Sequence, residues 1–285
     1  MGNIRNCIHK MLLAVVGLSA AFGCVALHAD ETDKDQDQKV RPFLNCDASL
    51  KFENEHVSLG RFGGRQMLIP KVKIYHEMND SVITYIGTDV FASIKHGNES
   101  YNDVEPRVGF EYKINDIFSV DVGYRHYFFT GLSVESANGE KRDASEIYAS
   151  LLADVSVFDK NFSTSLDCSY NWDFEDFDLE GNIVHSIDLS RFIAARTRAD
   201  LGVKFGYRRM SKPGGKKFDK NIHGSKDYFY YGTGVDIVHE CNDFVSIKGG
   251  VSFGGNAGGK HGWINNASGG RKRFVWGNVA IVCKF

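Results

Sequence analysis

The sequence predicts an all-β fold: a closed antiparallel up-and-down transmembrane β-barrel of about 12 strands. Three observations predict it. Short segments of alternating apolar and polar residues recur from residue 43 to residue 285, with no helical period between them. The links between segments are alternately short and long, as in a barrel with tight turns at one end and loops at the other. Aromatic residues stand at both ends of the apolar faces, where rings sit at membrane–water boundaries.

The opening of the chain has a different character. Arg5 and Lys10 precede an apolar stretch from Met11 to Leu27, and small residues follow near Ala29. That order matches a secretory signal peptide, residues 1–29, cleaved after Ala29. A retained anchor helix and lipidation at Cys24 are the competing readings; Phe22 beside Gly23 fits the second poorly. Residues 30–42 are almost wholly polar and form a periplasmic lead, and residues 43–285 are the barrel.

The first alternating segment is Leu44–Glu53, and the second, Leu68–Glu77, sets Val72 and Ile74 against Lys71 and Lys73. A turn at Asn79-Asp80 leads to Val82–Lys95, where alternation is weaker. The fourth, Pro106–Ile114, opposes Val108, Phe110 and Tyr112 to Arg107, Glu111 and Lys113. Asn115-Asp116 turns into Ile117–Thr130. The rest run through 144–155, 161–173, 183–190, 197–208, 227–238, 244–254 and 273–285. Long polar links are expected at 54–66, 96–105, 131–143, 174–182, 209–226 and 255–272.

A soluble β-sandwich would also alternate. It would not carry charges at mid-strand on nearly every polar face, because a packed core cannot solvate them. Those faces fit a wet lumen. The expected pore-lining residues are Lys51, Lys71, Lys73, Arg107, Arg125, Asp154, Asp167, Asp188, Arg198, Lys204, Asp236 and Lys248. Segments six to eight carry acids and no base, and segments nine to twelve are mostly basic. Asp167 and Asp188 are placed at mid-depth, facing a neighbouring arc with Lys204 and Lys248. Twelve bases against thirteen acids in all imply weak ion selectivity.

Removing residues 1–29 takes two basic and no acidic residues, leaving a net charge near −4, which offers nothing to nucleic acid. A mean hydropathy of −0.28 and the lack of a long interior apolar run exclude a spanning helix in the mature chain. Cys46, Cys168, Cys241 and Cys283 are too widely spaced for a zinc site, and no metal or cofactor is expected. A seam disulfide between Cys46 and Cys283 is considered and disfavoured, since antiparallel neighbours rarely suit the bond. His126 and His185 have outward parity, but the expected register puts no serine beside either on an adjacent strand, and no catalytic residue is expected. Lys212, Lys216, Lys217 and Lys220 crowd one external loop and could grip lipopolysaccharide phosphates.

The last segment, Val275-Trp276-Gly277-Asn278-Val279-Ala280-Ile281-Val282-Cys283-Lys284-Phe285, resembles the C-terminal signature of small Gram-negative outer-membrane β-barrel (porin-like) proteins. Cys283 departs from the aromatic residue often found at its position. The resemblance implies a bacterial outer-membrane location, lipid and lipopolysaccharide contacts, and Phe285 as a signal read by the barrel-assembly machinery. The expected function is a channel for passive diffusion of small hydrophilic solutes, and not an enzyme. The alternative is a non-conducting structural or surface-interaction barrel binding ligands through its basic loops.

Overall fold

The computed structural model describes residues 44–58, 61–94, 102–129, 143–154, 162–173, 175–210, 226–257 and 273–285. Their strands are β1 (Asn45–Ser58), β2 (Arg61–Asn79), β3 (Val82–Ser93), β4 (Asn102–Lys113), β5 (Phe118–Phe129), β6 (Asp143–Asp154), β7 (Phe162–Asn171), β8 (Asp176–Asp188), β9 (Thr197–Met210), β10 (Lys226–Glu240), β11 (Val245–Ala257) and β12 (Arg273–Lys284). Each pairs antiparallel with its sequence neighbours, and β12 pairs with β1, so the sheet closes and leaves no edge. At the seam, the Cys46 N–H donates to the Phe285 carbonyl at 2.9 Å and the Phe285 N–H to the Cys46 carbonyl at 2.8 Å.

One end of the barrel is built from turns whose chemistry the sequence encodes. The Asn79 side-chain oxygen accepts from the N–H groups of Ser81 and Val82, both at 2.9 Å. Asn115 does the same for Ile117 and Phe118, and Asn242 for Phe244 and Val245. A short polar side chain that caps the two following amides sets the register of the strands it joins. We refer to this as the turn end, and to the opposite one as the loop end.

Alternation puts one parity of each strand outside, and that parity is apolar. Ile86, Val108, Val203, Val251 and Val279 are each half or more exposed, which is unfavourable against water and suited to hydrocarbon. Outward aromatics stand at the two levels expected of them, Phe128, Trp172, Phe229, Tyr231 and Phe253 toward the loop end and Tyr112, Phe118 and Phe162 toward the turn end, whereas Phe52, expected at the loop end, lies at the middle of β1.

Several expected boundaries are corrected. The stretch 54–66, expected as a loop, is mostly strand, since β1 continues to Ser58 and β2 begins at Arg61. Residues 176–182 belong to β8 and 102–105 to β4. Short and long links therefore alternate less cleanly than the sequence suggests. The reason is common to all three: polar residues read as loop, yet the backbone that carries them is paired over most of its length, with one irregularity between His56 and Val57. Cys46 and Cys283 are free, and the register sets Cys283 beside Ala48, two residues from Cys46.

Candidate functional site

The inner wall is where charge accumulates. Twelve strands about 4.8 Å apart and tilted about 40° close a cylinder of backbone radius about 12 Å. Opposite walls then stand about 24 Å apart, beyond the combined reach of two long side chains. The ion pairs obey that limit. Lys71 on β2 meets Asp89 on β3 at 2.5 Å, and Arg107 on β4 approaches the same carboxylate at 3.5 Å. Arg125 on β5 sits between Glu105 on β4 (3.6 Å) and Glu146 on β6 (3.9 Å). Lys204 on β9 faces Glu180 on β8 at 3.8 Å, and Arg208 holds Asp176 at 2.8 Å. Arg198 joins Asp200 and Glu240, and Lys248 on β11 joins Asp236 on β10 at 2.9 Å. Lys51 pairs with Glu53 on its own strand. All of these link the same strand or immediate neighbours, so they run around the wall.

Tyrosines follow the wall as well. The register aligns Tyr85 on β3, Gly109 on β4, Gly123 on β5 and Tyr148 on β6 in one transverse row. A side chain at Gly109 would collide with the Tyr85 ring, and one at Gly123 with Tyr148. The two rings therefore lie flat over the glycines and meet hydroxyl to hydroxyl at 2.6 Å, with Asp121 accepting from Tyr85 at 2.5 Å. Lys73 lies 4.3 Å from the Tyr85 ring centroid. Tyr230 likewise lies over Gly206 and reaches Asp178 at 3.1 Å. Between β8 and β12 small residues open a recess of about 140 Å³, lined by Asn182, Lys204, Gly234, Asp236, Ser252 and Trp276 among others.

The structure places all twelve expected pore-lining residues on the inner parity of their strands, but not all at the expected depth. Asp188 is the last residue of β8, fully at the turn end, where its carboxylate accepts from the Ser190 N–H at 2.8 Å. It is a turn cap and not a mid-depth charge; the expected start of its strand at 183 had shifted it inward. Asp154 ends its strand, β6, at the turn end, where the expected bounds of 144–155 put it. Asp167 does lie mid-strand, opposite Glu180, with the Asn182 amide donating to both at 3.1 Å. The longer β4 and β8 add Asp103, Glu105, Asp176, Asp178 and Glu180 to the inner face with no new base. Among the described residues the inner face therefore carries more acids than bases, which shifts the near-balanced tally toward the acidic side. These five follow strict alternation with Val104, Pro106, Phe177 and Leu179, a signal present in the sequence.

The outer wall holds a second correction. The β5–β6 register sets His126 opposite Ser145, both outward, and His126 Nδ1 lies 2.9 Å from Ser145 Oγ. The expectation that no serine stands beside His126 is overturned; the intervening long loop had left the register undetermined. His185 conforms to expectation, packing against Phe162 at 4.8 Å between ring centroids. Lys212, Lys216, Lys217 and Lys220 lie outside the described residues.

No protein-family model matches the chain, and no curated protein matches it. Among solved structures it is similar to the KdgM porin, at 12% identity over 84% of this chain and 99% of that one, with a TM-score of 0.47. An outer membrane channel from Pseudomonas putida F1 gives 10% identity, 90% and 100% coverage, and 0.48. LpxR from Salmonella typhimurium gives 9%, 84% and 100%, and 0.46. At such values no function passes from them to this chain.

Proposed function

We propose that this barrel is an outer-membrane channel for passive diffusion of small hydrophilic solutes. The observation that carries the proposal is the direction of the inner contacts: each ion pair described joins residues on one strand or on neighbours, and the flat tyrosine pair spans four adjacent strands, β3 to β6. None of these contacts reaches across a barrel whose opposite backbone walls stand about 24 Å apart. A wall of paired charges, glycines and serines stays wet, and the apolar outer belt requires lipid around it. With twelve strands, the first and last meet at the turn end, which this reading assigns to the periplasm below a cleaved 1–29 signal. Lipopolysaccharide at the loop end and the barrel-assembly machinery acting on Phe285 complete the proposal.

Purified protein in a planar bilayer tests it. Stepwise conductance in dilute KCl is expected, with cations favoured by the acidic wall. A heat-modifiable, correctly folded barrel that never conducts would refute the channel and favour a structural or surface-interaction barrel.

A further inference from the structure

The chemistry on the outer wall goes beyond a channel. Histidine and serine are polar residues on a lipid-facing surface, where polar groups are disfavoured. Here they are adjacent. Ser145 Oγ lies 2.9 Å from His126 Nδ1, within reach for proton transfer. The Tyr124 hydroxyl lies 3.2 Å from the serine oxygen and 3.2 Å from the same imidazole nitrogen. With Tyr124 donating to Ser145, the serine proton is directed at His126 Nδ1, and the imidazole carries its own proton on Nε2. The tyrosine ring stacks on Trp172 at 5.9 Å, and His126 packs edge-on to Phe128 at 4.4 Å, so both partners are held in place. Ser145 keeps 9% of its surface, and its backbone N–H is already fixed by Asp173 at 2.7 Å.

An apolar groove adjoins this cluster through Tyr124. It measures about 450 Å³ on the outer wall and is lined by Val72, Ile86, Thr88, Pro106, Val108 and Tyr124 among others. The register explains both its floor and its direction. Val72 pairs with Thr88, Thr88 with Pro106, and His126 with Ser145, while Arg107 opposite Arg125 sets Pro106 opposite His126. Groove floor, histidine and serine thus occupy one transverse row across β2 to β6. The row lies three residues from the loop-end limit of β5, among the outward aromatics that mark the membrane boundary. Lipid acyl chains meet their ester groups at that level.

We propose that Ser145 and His126 are a nucleophile and general base that cleave an acyl ester of a membrane lipid whose chain lies in the groove. Ser145 Oγ adds to the ester carbonyl carbon as its proton passes to His126 Nδ1. The bond from that carbon to the lipid alcohol oxygen breaks, and the oxygen takes the proton from His126. Water then adds to the acyl-serine, giving its proton to His126; Ser145 departs and is reprotonated, and a free fatty acid leaves. One water is consumed per ester. The Tyr124 hydroxyl is the donor placed for charge developing on the carbonyl oxygen.

The test uses full-length folded protein and a fluorophosphonate probe read by intact mass, with fatty-acid release from phosphatidylethanolamine vesicles and, in a second arm, from lipopolysaccharide-containing vesicles. The arm that releases acid names the lipid source. Expected are a single adduct at Ser145, its loss in Ser145→Ala, a fall of about 10² or more in release for His126→Asn, and a comparable fall for Tyr124→Phe. Bilayer conductance and heat-modifiable migration of the variants should match the wild type, which separates this outcome from failure of the channel reading or of folding. A folded wild type that takes no label and releases no more acid than Ser145→Ala overturns the proposal, as does labelling that survives Ser145→Ala.

Discussion

Neutralising Asp167 and Glu180 together, as Asp167→Asn and Glu180→Gln, should turn the channel toward anions. The two face each other across β7 and β8 at mid-strand, and the Asn182 amide bridges them. The substitutions keep shape and keep an acceptor for Asn182, so the wall should hold. With a backbone radius of about 12 Å and side chains reaching about 4 Å inward, each carboxylate lies about 8 Å from the axis. One unit charge at that distance in water is worth about 0.5 kcal/mol. A Debye length of about 10 Å at 0.1 M salt reduces this to a little under half. Two charges therefore act on a permeating ion with about 0.5 kcal/mol, favourably for a cation and unfavourably for an anion. Removing both changes the anion-to-cation permeability ratio by about 1 kcal/mol, or about fivefold. Reversal potentials across a KCl gradient measure that ratio. A conducting double variant with the wild-type ratio would refute the placement of these carboxylates on the water-filled side.

Three further outcomes follow from the same geometry. Because β12 closes on β1, every strand is paired, and unheated protein should migrate differently from boiled protein on a denaturing gel; identical migration of folded protein counts against closure. Deleting Phe285 removes two seam hydrogen bonds to Cys46, each worth about 1 kcal/mol, whereas Phe285→Tyr keeps them. Outer-membrane levels should fall more for the deletion, and equal levels would remove both seam and signal roles. Gly123→Val should drive a side chain into the Tyr148 ring and destabilise the barrel by about 1–3 kcal/mol, read as a lower unfolding temperature in the gel-shift assay. Gly249→Ala, whose new methyl would meet only ordinary contacts, is the matched control expected to leave that temperature unchanged.

Period-2 patterning was legible because lipid and water impose opposite demands on successive residues. Val72 against Lys71 and Val108 against Arg107 needed no structure to interpret. Asn79, Asn115 and Asn242 were equally readable, since each turn is solved locally by one side chain. What failed was the distinction between an acidic strand and an acidic loop. Asp176-Phe177-Asp178-Leu179-Glu180 alternates as well as any segment, but its charge density resembles a solvated link, and only pairing with β7 and β9 decides the matter. Asp188 was misplaced for the same reason, as moving a strand's start moves the depth of every residue on it. Register across a long link is set by closure of the whole cylinder, which no local pattern encodes. Ser145 beside His126 was therefore beyond sequence reasoning.

The inner and outer walls nevertheless share that register. Arg125 and His126 are consecutive on β5, as are Ser145 and Glu146 on β6. The pairing that brings Arg125 within 3.9 Å of Glu146 inside the barrel also brings His126 within 2.9 Å of Ser145 outside it. A slip of one residue would turn every side chain of β6 to the opposite face and separate both pairs at once. A slip of two would keep the faces but part both couples. Both contacts thus report one β5–β6 register, which eleven residue pairs of the ladder hold. Residues 125 and 126 are consecutive on β5, so a change that shifted the β5–β6 register would part the inner and the outer pair together.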